Sequence, residues 1–341
     1  MSAKFVTIGL LAAAASLSAA SKNLDIYWID AEGGAATLIV TPAGQSLLVD
    51  TANRTPDDRD AKRILAAAQQ AGLKKIDFLL TTHFHTDHYG ALDALSKLIT
   101  IDRFLDHGES IEIARPNVAA AYKNYVTLTE GKRTILKAGD KIPLKGVDLT
   151  VVMSAGKPIA KGLKGGGPNA SLCGEWKDKT TPEPDPDNDQ SVGFLLRFGK
   201  FKFLDLGDLT WNYEKQLVCP GNLIGPVDLY QTTHHGLDRS NAPQFVWSIK
   251  PRVALMNNGP RKGGPASVFE ILRKSPGLED IWQGHLALGI AKDLNTDEKM
   301  IANLEPTQQC TGKLLKASVA PDGKYTITNE RTGYSKTYAS R

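Results

Sequence analysis

Short apolar runs at residues 24 to 29, 36 to 40 and 46 to 49, broken by Gly33-Gly34 and Pro42-Ala43-Gly44, predict an antiparallel meander at the start of the chain. The period then lengthens. Thr55-Pro56-Asp57-Asp58 supplies an N-cap, a proline at the first helical position and early acids, and predicts a helix ending at Ala71 with Gly72 as its stop. Residues 76 to 81 read as a strand, 91 to 98 as a helix, 101 to 105 as a strand and 117 to 128 as a helix, with β character returning over 135 to 144 and 147 to 153. Strands alternating with helices predict an α/β fold.

Residues 156 to 187 form one long irregular stretch, with Gly165-Gly166-Gly167 and then Pro182, Pro184 and Pro186 among acids. Beyond it, 192 to 198 and 201 to 206 flank the tight turn Gly199-Lys200 as a hairpin. Helices at 211 to 219, 243 to 249 and 266 to 274 alternate with strands at 227 to 232 and 253 to 256, and Pro321-Asp322-Gly323 centres a hairpin in the tail. No internal repeat or heptad pattern divides the chain. The expected organisation is a targeting segment over 1–20 and a single domain over 21–341 with a C-terminal β-hairpin extension.

The targeting segment rests on Lys4, the apolar run 5 to 15 and the small residues Ser18-Ala19-Ala20, the pattern of a secretory signal. That run is shorter than the roughly 18 to 20 residues a membrane span needs, and no later segment approaches that length. A periplasmic or secreted location is therefore expected. The 41 basic and 37 acidic side chains nearly balance, which argues against tight binding of long nucleic acid. Cys173, Cys219 and Cys310 are too far apart for a zinc knuckle; in an oxidising compartment one pair can bridge and the third stay free. Lys157, Lys161 and Lys164 read as solvated lysines of a loop before they read as an anion site.

Chemistry concentrates in Thr82-His83-Phe84-His85-Thr86-Asp87-His88, directly after an apolar strand. Three of the chain's seven histidines fall here, with a carboxylate among them. A sharp loop at a strand end lets alternate side chains address two ions, His83 and His85 one, Asp87 and His88 the other; neutral imidazoles and a carboxylate suit Zn²⁺, with Mn²⁺ or Fe as alternatives. A distant ligand is expected from His234-His235, which follow another strand-like run.

His-x-His-x-Asp-His after a strand resembles the signature of the metallo-β-lactamase superfamily. Phe203-Leu204-Asp205-Leu206-Gly207-Asp208 resembles its strand ending in Gly-Asp, which supplies a bridging carboxylate, and His234-His235-Gly236 its late histidine ligand. The resemblance implies a four-layer αββα sandwich. Within the superfamily the chain is most similar to the soluble domain of ComEC-type competence channel proteins and their stand-alone secreted relatives. Asp30-Ala31-Glu32-Gly33-Gly34 stands where that group has Asp-Val-Gly-Gln-Gly, Asn188-Asp189-Gln190-Ser191 matches its Asn-Asp-x-Ser, and 253 to 265 resembles its late strand and turn. The likeness covers residues 24 to 289.

Two departures stand out. Ser154-Ala155-Gly156-Lys157 occupies the place of the superfamily's Gly-His-Thr-Pro-Gly turn, so a middle histidine is missing; Asp189 is the candidate replacement and His107 its rival. Gly264 stands where ComEC-type chains carry a histidine before Pro265, which removes a substrate contact.

The resemblance implies two divalent ions sharing Asp208 and holding a bridging hydroxide, since a bound cation lowers the pKa of water to about 7. Asp87 would ligate one ion and orient the nucleophile, Asp50 would fix a histidine tautomer, and His235 would be either a ligand or the acid for the leaving group. The fold hosts many substrates. The ComEC-like features favour small-molecule or single-stranded phosphodiesters. A carboxylic ester, lactone or β-lactam hydrolase is the alternative, and an exported metal-binding module without activity is the non-enzymatic one.

Overall fold

In the first strand, Leu24–Trp28, the side chains of Leu24, Ile26 and Trp28 enter one apolar cluster and Tyr27 enters another. A strand buried on both faces belongs to an inner layer, and the same division recurs in Ser46–Val49, with Leu47 and Val49 on one side and Leu48 on the other. The computed structural model describes residues 23–180, 186–305 and 310–341; the signal expected over 1–20 lies outside them, as do Pro182 and Pro184.

Among the described residues two nine-stranded sheets lie face to face. In the first, an antiparallel meander Leu24–Trp28, Thr37–Val40, Ser46–Val49 continues through parallel pairings into Lys75–Leu80, Thr100–Asp106 and Arg133–Ile135. In the second, Asp148–Ser154, Gly193–Phe198 and Phe201–Asp205 pair antiparallel, and Leu229–Gln231, Val253–Met256, Asp280–His285 and Ile301–Asn303 follow in parallel. Phe194, Phe203, Trp28 and Phe78 meet between the sheets. Helices Arg59–Gln70, Leu92–Leu98 and Pro116–Leu128 cover the outer face of the first sheet, and Trp211–Val218, Pro243–Ile249 and Ala266–Arg273 that of the second. The layers are αββα.

Several boundaries differ from the sequence reading. Thr55–Asp58 is a turn, and the helix starts at Arg59, because buried Asp60 accepts the Asn53 N–H at 3.0 Å and pairs with Arg59, folding the 53–58 segment back over the helix. Its end is as read: Gly72 is left-handed at φ 75° and the Leu73 N–H reaches the Ala68 carbonyl at 2.9 Å, a Schellman closure. The stretch 135 to 144 is no single strand. The chain leaves the first sheet at Ile135, turns through Gly139 and joins the second as Lys141–Ile142. The irregular stretch contains a short helix, Ala170–Gly174. The tail forms three strands, Leu315–Val319, Lys324–Asn329 and Ser335–Ala339, which extend the first sheet by pairing Leu315–Val319 with Leu24–Trp28. No helix of the described residues is long and apolar enough to cross a membrane.

Cys173 and Cys219 form a disulfide, tying the irregular stretch to the helix Trp211–Val218, and Cys310 is free and buried. Burial pushes the Cys310 thiol up to about 11, so it is neither accessible nor ionised near neutrality. Thiol titration is expected to find no reactive group in the native protein, one after denaturation and three after reduction as well; a reactive native thiol contradicts this arrangement.

Glu214 is fully buried and accepts the N–H groups of Asn241 and Ala242 at 2.9 and 2.8 Å, just before the helix Pro243–Ile249. Burial, opposed by those hydrogen bonds, pushes its carboxyl from 4.5 up to about 8. The folded state therefore keeps a proton that the unfolded chain has released, and this group's contribution to stability falls as pH rises from about 4.5 to about 8. Glu214→Gln should flatten that slope in melting curves taken at stepped pH; an unchanged slope contradicts the assignment.

Candidate metal centre

The C-terminal ends of neighbouring strands deliver the polar residues to one rim. Asp50 follows Ser46–Val49, the His83–His88 run follows Lys75–Leu80, Asp208 follows Phe201–Asp205, and His234-His235 follow Leu229–Gln231. The Val192 N–H, at the start of a second-sheet strand, donates to the Thr82 carbonyl of the first sheet and stitches the two sheets there, while the His234 N–H donates to the Gly207 carbonyl and joins two loops of the second sheet, both at 2.9 Å. Gly207 has φ 56°, and a Cβ on it would stand 2.9 Å from the Thr82 Cβ, so only glycine lets Asp208 approach the histidine loop this closely.

Asp87, His88, Asp208 and His235 each bring one ligand atom within 4.8 Å of all the others. His88 Nε2 lies 3.2 Å from His235 Nε2, 3.2 Å from Asp208 Oδ2 and 3.4 Å from Asp87 Oδ2. His235 Nε2 lies 3.2 Å from Asp87 Oδ2 and 3.4 Å from Asp208 Oδ2. Beside this group, His83 Nε2 and His85 Nδ1 face each other at 3.1 Å, and the His83 ring stands 4.1 Å from that of His88. Asp208 Oδ2 is also 3.4 Å from His234 Nε2.

These spacings fit a divalent ion. Bonds of about 2.0–2.2 Å in a tetrahedron put ligand atoms roughly 3.3–3.6 Å apart, close to the separations seen here, and the donors are imidazole nitrogen and carboxylate oxygen. The outward nitrogens are also occupied. His88 Nδ1 donates to Asp50 Oδ2 at 2.7 Å, while the Asp50 carboxylate takes the Thr82 N–H and hydroxyl at 2.8 Å each. His83 Nδ1 stands 3.2 Å from Thr82 Oγ1, His235 Nδ1 3.4 Å from the Asn257 carbonyl, and His85 Nε2 3.6 Å from Glu112 Oε2. Such partners fix ring orientation and turn the other nitrogen of each ring inward.

The electrostatics favour positive charge at this point. Burial would discharge His88, yet Asp208, Asp50 and Asp87 raise its pKa well above the ordinary histidine value. Burial would likewise raise Asp208, but His88, His234 and His235 hold it well below the carboxylate range. Asp87 is held low by His88, His235 and Lys262, again against burial.

Other residues singled out in the sequence sit elsewhere. The Asp189 carboxylate accepts a hydrogen bond from the Thr210 hydroxyl and is outside the four-residue group. His107 packs against Phe84 with ring centroids 5.0 Å apart and faces Asp187 at 3.6 Å. Lys157, Lys161 and Lys164 are exposed.

The sequence reading missed three contributors. Asp187 is buried and accepts the Phe84 N–H at 2.6 Å, the Ser110 hydroxyl at 2.8 Å and the Ile111 N–H at 3.1 Å, clamping the loop between His83 and His85. Glu112 backs His85. Lys262 sets its ammonium on Asp87 Oδ2 from the loop 259–264, held in place by the Gly264 N–H on the Gly236 carbonyl at 3.2 Å.

The match to a family model agrees with the fold. The model of the metallo-β-lactamase superfamily matches residues 29–215, which takes in the histidine run and Asp208 and stops before His234-His235. ComE operon protein 3 of Bacillus subtilis is 22% identical over 192 residues, covering 55% of this chain and 20% of that protein. A UPF0173 metal-dependent hydrolase of Cupriavidus necator is 36% identical over 78 residues, 22% of this chain and 23% of that one. The matches thus span under a quarter of these relatives' own length. Solved structures that align include CmlA, a diiron β-hydroxylase from Streptomyces venezuelae, at 16% identity and TM-score 0.42 over 76% of this chain and 52% of that one. A diphosphatase of the PhnP family aligns at 15% identity and TM-score 0.39 over 75% and 94%. With its αββα layers, its clustered histidines and a family match over more than half its length, the chain belongs to the metallo-β-lactamase superfamily.

Proposed function

We propose that the chain is a dinuclear metal-dependent hydrolase of small phosphodiesters. The observation that carries the reading is the convergence of Asp87, His88, Asp208 and His235 beside the facing pair His83 and His85, the His83 ring standing 4.1 Å from that of His88. Nitrogen-rich tetrahedral donor sets suit Zn²⁺ ahead of Mn²⁺ or Fe. Bound ions supply Lewis acidity at the phosphoryl oxygen and make water acidic near neutral pH.

The protein's own side chains do the rest. Asp50 and Thr82 lock His88, and Asn257 locks His235, so both rings are oriented before substrate arrives. This commits both nitrogens of His235 and favours a ligand over an acid. Asp87, 20% exposed, is the acceptor that can hold an entering water. Lys262, 34% exposed beside Asp87, supports an anionic substrate: its ammonium can meet a non-bridging oxygen of a phosphodiester, whereas a neutral ester or lactone gives it no charge to pair with.

Turnover of bis-p-nitrophenyl phosphate, a lactone panel and nitrocefin in parallel tests the reading. Phosphodiester cleavage should lead; rapid lactone or ester turnover without it would contradict the substrate class. Lys262→Met should raise KM for the phosphodiester about 10-fold, the low end of a charge-assisted hydrogen bond at a part-exposed site, with kcat and metal content little changed. An unaltered KM removes Lys262 from substrate binding. We also place the enzyme outside the cytoplasm, a reading supported by the Cys173–Cys219 disulfide. Fractionation finding it cytosolic with reduced cysteines would contradict that.

A further inference from the structure

His234 and His235 are consecutive, and in an extended strand consecutive side chains point to opposite sides. Here both residues are left-handed, at φ 58°, ψ 46° and φ 56°, ψ 20°. Such a backbone is unfavourable for a residue with a Cβ, and persists only where the surroundings impose it. The double left-handed turn sets both rings against one carboxylate oxygen: His234 Nε2 and His235 Nε2 each lie 3.4 Å from Asp208 Oδ2, with ring centroids 6.2 Å apart.

The two rings face different neighbours. His235 joins Asp87 and His88, as above, whereas His234 is outside that group. His234 Nε2 lies 3.4 Å from Asn188 Nδ2, and the adjoining Asp187 holds the Phe84 N–H between His83 and His85. His234 is thus apart from the Asp87 and His88 group and contacts Asn188, whose neighbour Asp187 clamps the loop that carries His83 and His85. It is also built like His83, His88 and His235, with an inward Nε2 and an outward Nδ1 3.4 Å from Ser240 Oγ, whose hydroxyl is anchored on the Leu209 carbonyl at 2.7 Å.

We infer that the histidine pair is divided between two ions, His235 serving the one on Asp87 and His88, and His234 completing the shell of the one on His83 and His85. His234 thereby fills the role of the middle histidine that the Ser154-Ala155-Gly156-Lys157 stretch lacks, and neither Asp189 nor His107 is required for it. This rests on the two-ion reading proposed above.

An anomalous-scattering crystal structure of the wild-type protein grown with Zn²⁺ tests it directly. The expected map has two peaks, one within about 2.0–2.1 Å of His83 Nε2, His85 Nδ1 and His234 Nε2, the other at that distance from His88 Nε2 and His235 Nε2. Two peaks with His234 ligating neither ion, or with Asp189 or His107 in its place, overturn the division while leaving the two-ion reading intact. Fewer than two peaks overturn that reading itself. Metal content of variants adds an independent readout. His234→Ala should retain one ion, His83→Ala with His234→Ala should still retain one, and His234→Ala with His235→Ala should retain none. Two ions retained by folded His234→Ala contradict the inference.

Discussion

Asp208→Ala is expected to reduce phosphodiester turnover by about 1,000-fold, corresponding to roughly 4 kcal/mol of transition-state stabilisation at 1.36 kcal/mol per decade. The size follows from position. Three imidazoles face Asp208 Oδ2, His88 at 3.2 Å and His234 and His235 at 3.4 Å each, so on the proposed division its loss affects both halves of the centre. It is also 2% exposed, and its removal leaves those rings without the charge that offsets their burial. Steady-state kinetics with metal analysis checks this. Activity within 10-fold of wild type, with both ions kept, would show that the carboxylate does not join the two halves.

Stripping the ions with a chelator is expected to lower the melting temperature by about 12 °C, and stoichiometric Zn²⁺ should restore it. An ion present at about 1,000 times its dissociation constant stabilises the folded state by roughly 4 kcal/mol. An unfolding entropy of about 2.1 cal/mol/K per residue over roughly 320 residues gives about 0.7 kcal/mol/K, hence about 6 °C for each ion. The direction is set by Asp87, Asp208 and Asp50, acids crowded at one rim whose charge an ion would offset. Differential scanning calorimetry reads the shift; a melting curve indifferent to chelator would mean that the rim is built without need of metal.

The parts of this centre carried by one short stretch were legible before the fold was known. Four candidate ligands lie within six residues of each other from His83 to His88, and a strand end is the place where alternating residues diverge towards two points. The apolar hairpin before Gly207-Asp208 was readable from its pattern, and Asp208 itself was singled out by its likeness to the superfamily's strand ending in Gly-Asp. Contacts made across the chain were not legible. Glu112 sits between exposed Ile111 and Ile113 in a loop with no periodicity, and only the tertiary fold brings it to His85. Asp187 closes an acidic loop that reads as solvent-exposed, yet it is 0% exposed because three donors meet it there. Lys262 reaches Asp87 over 175 positions.

The fold shows the same division. Meander, hairpin and amphipathic helices follow their periods, but Asp280–His285 was not anticipated. Gln283, Gly284 and His285 interrupt its apolar pattern, and their polar groups are met by tertiary partners: Gln283 by Asn295 and Thr296, His285 by Asp30 at 2.5 Å. The roles of His234 and His235 could not be separated by spacing at all, because their directions depend on two left-handed residues in succession.

The most direct test is one titration: metal-free protein is given Zn²⁺ in increments while hydrolysis of bis-p-nitrophenyl phosphate is followed. The account predicts that turnover rises to a plateau with its break at two equivalents per chain. A break at one equivalent, or no phosphodiester turnover at any loading, would contradict it.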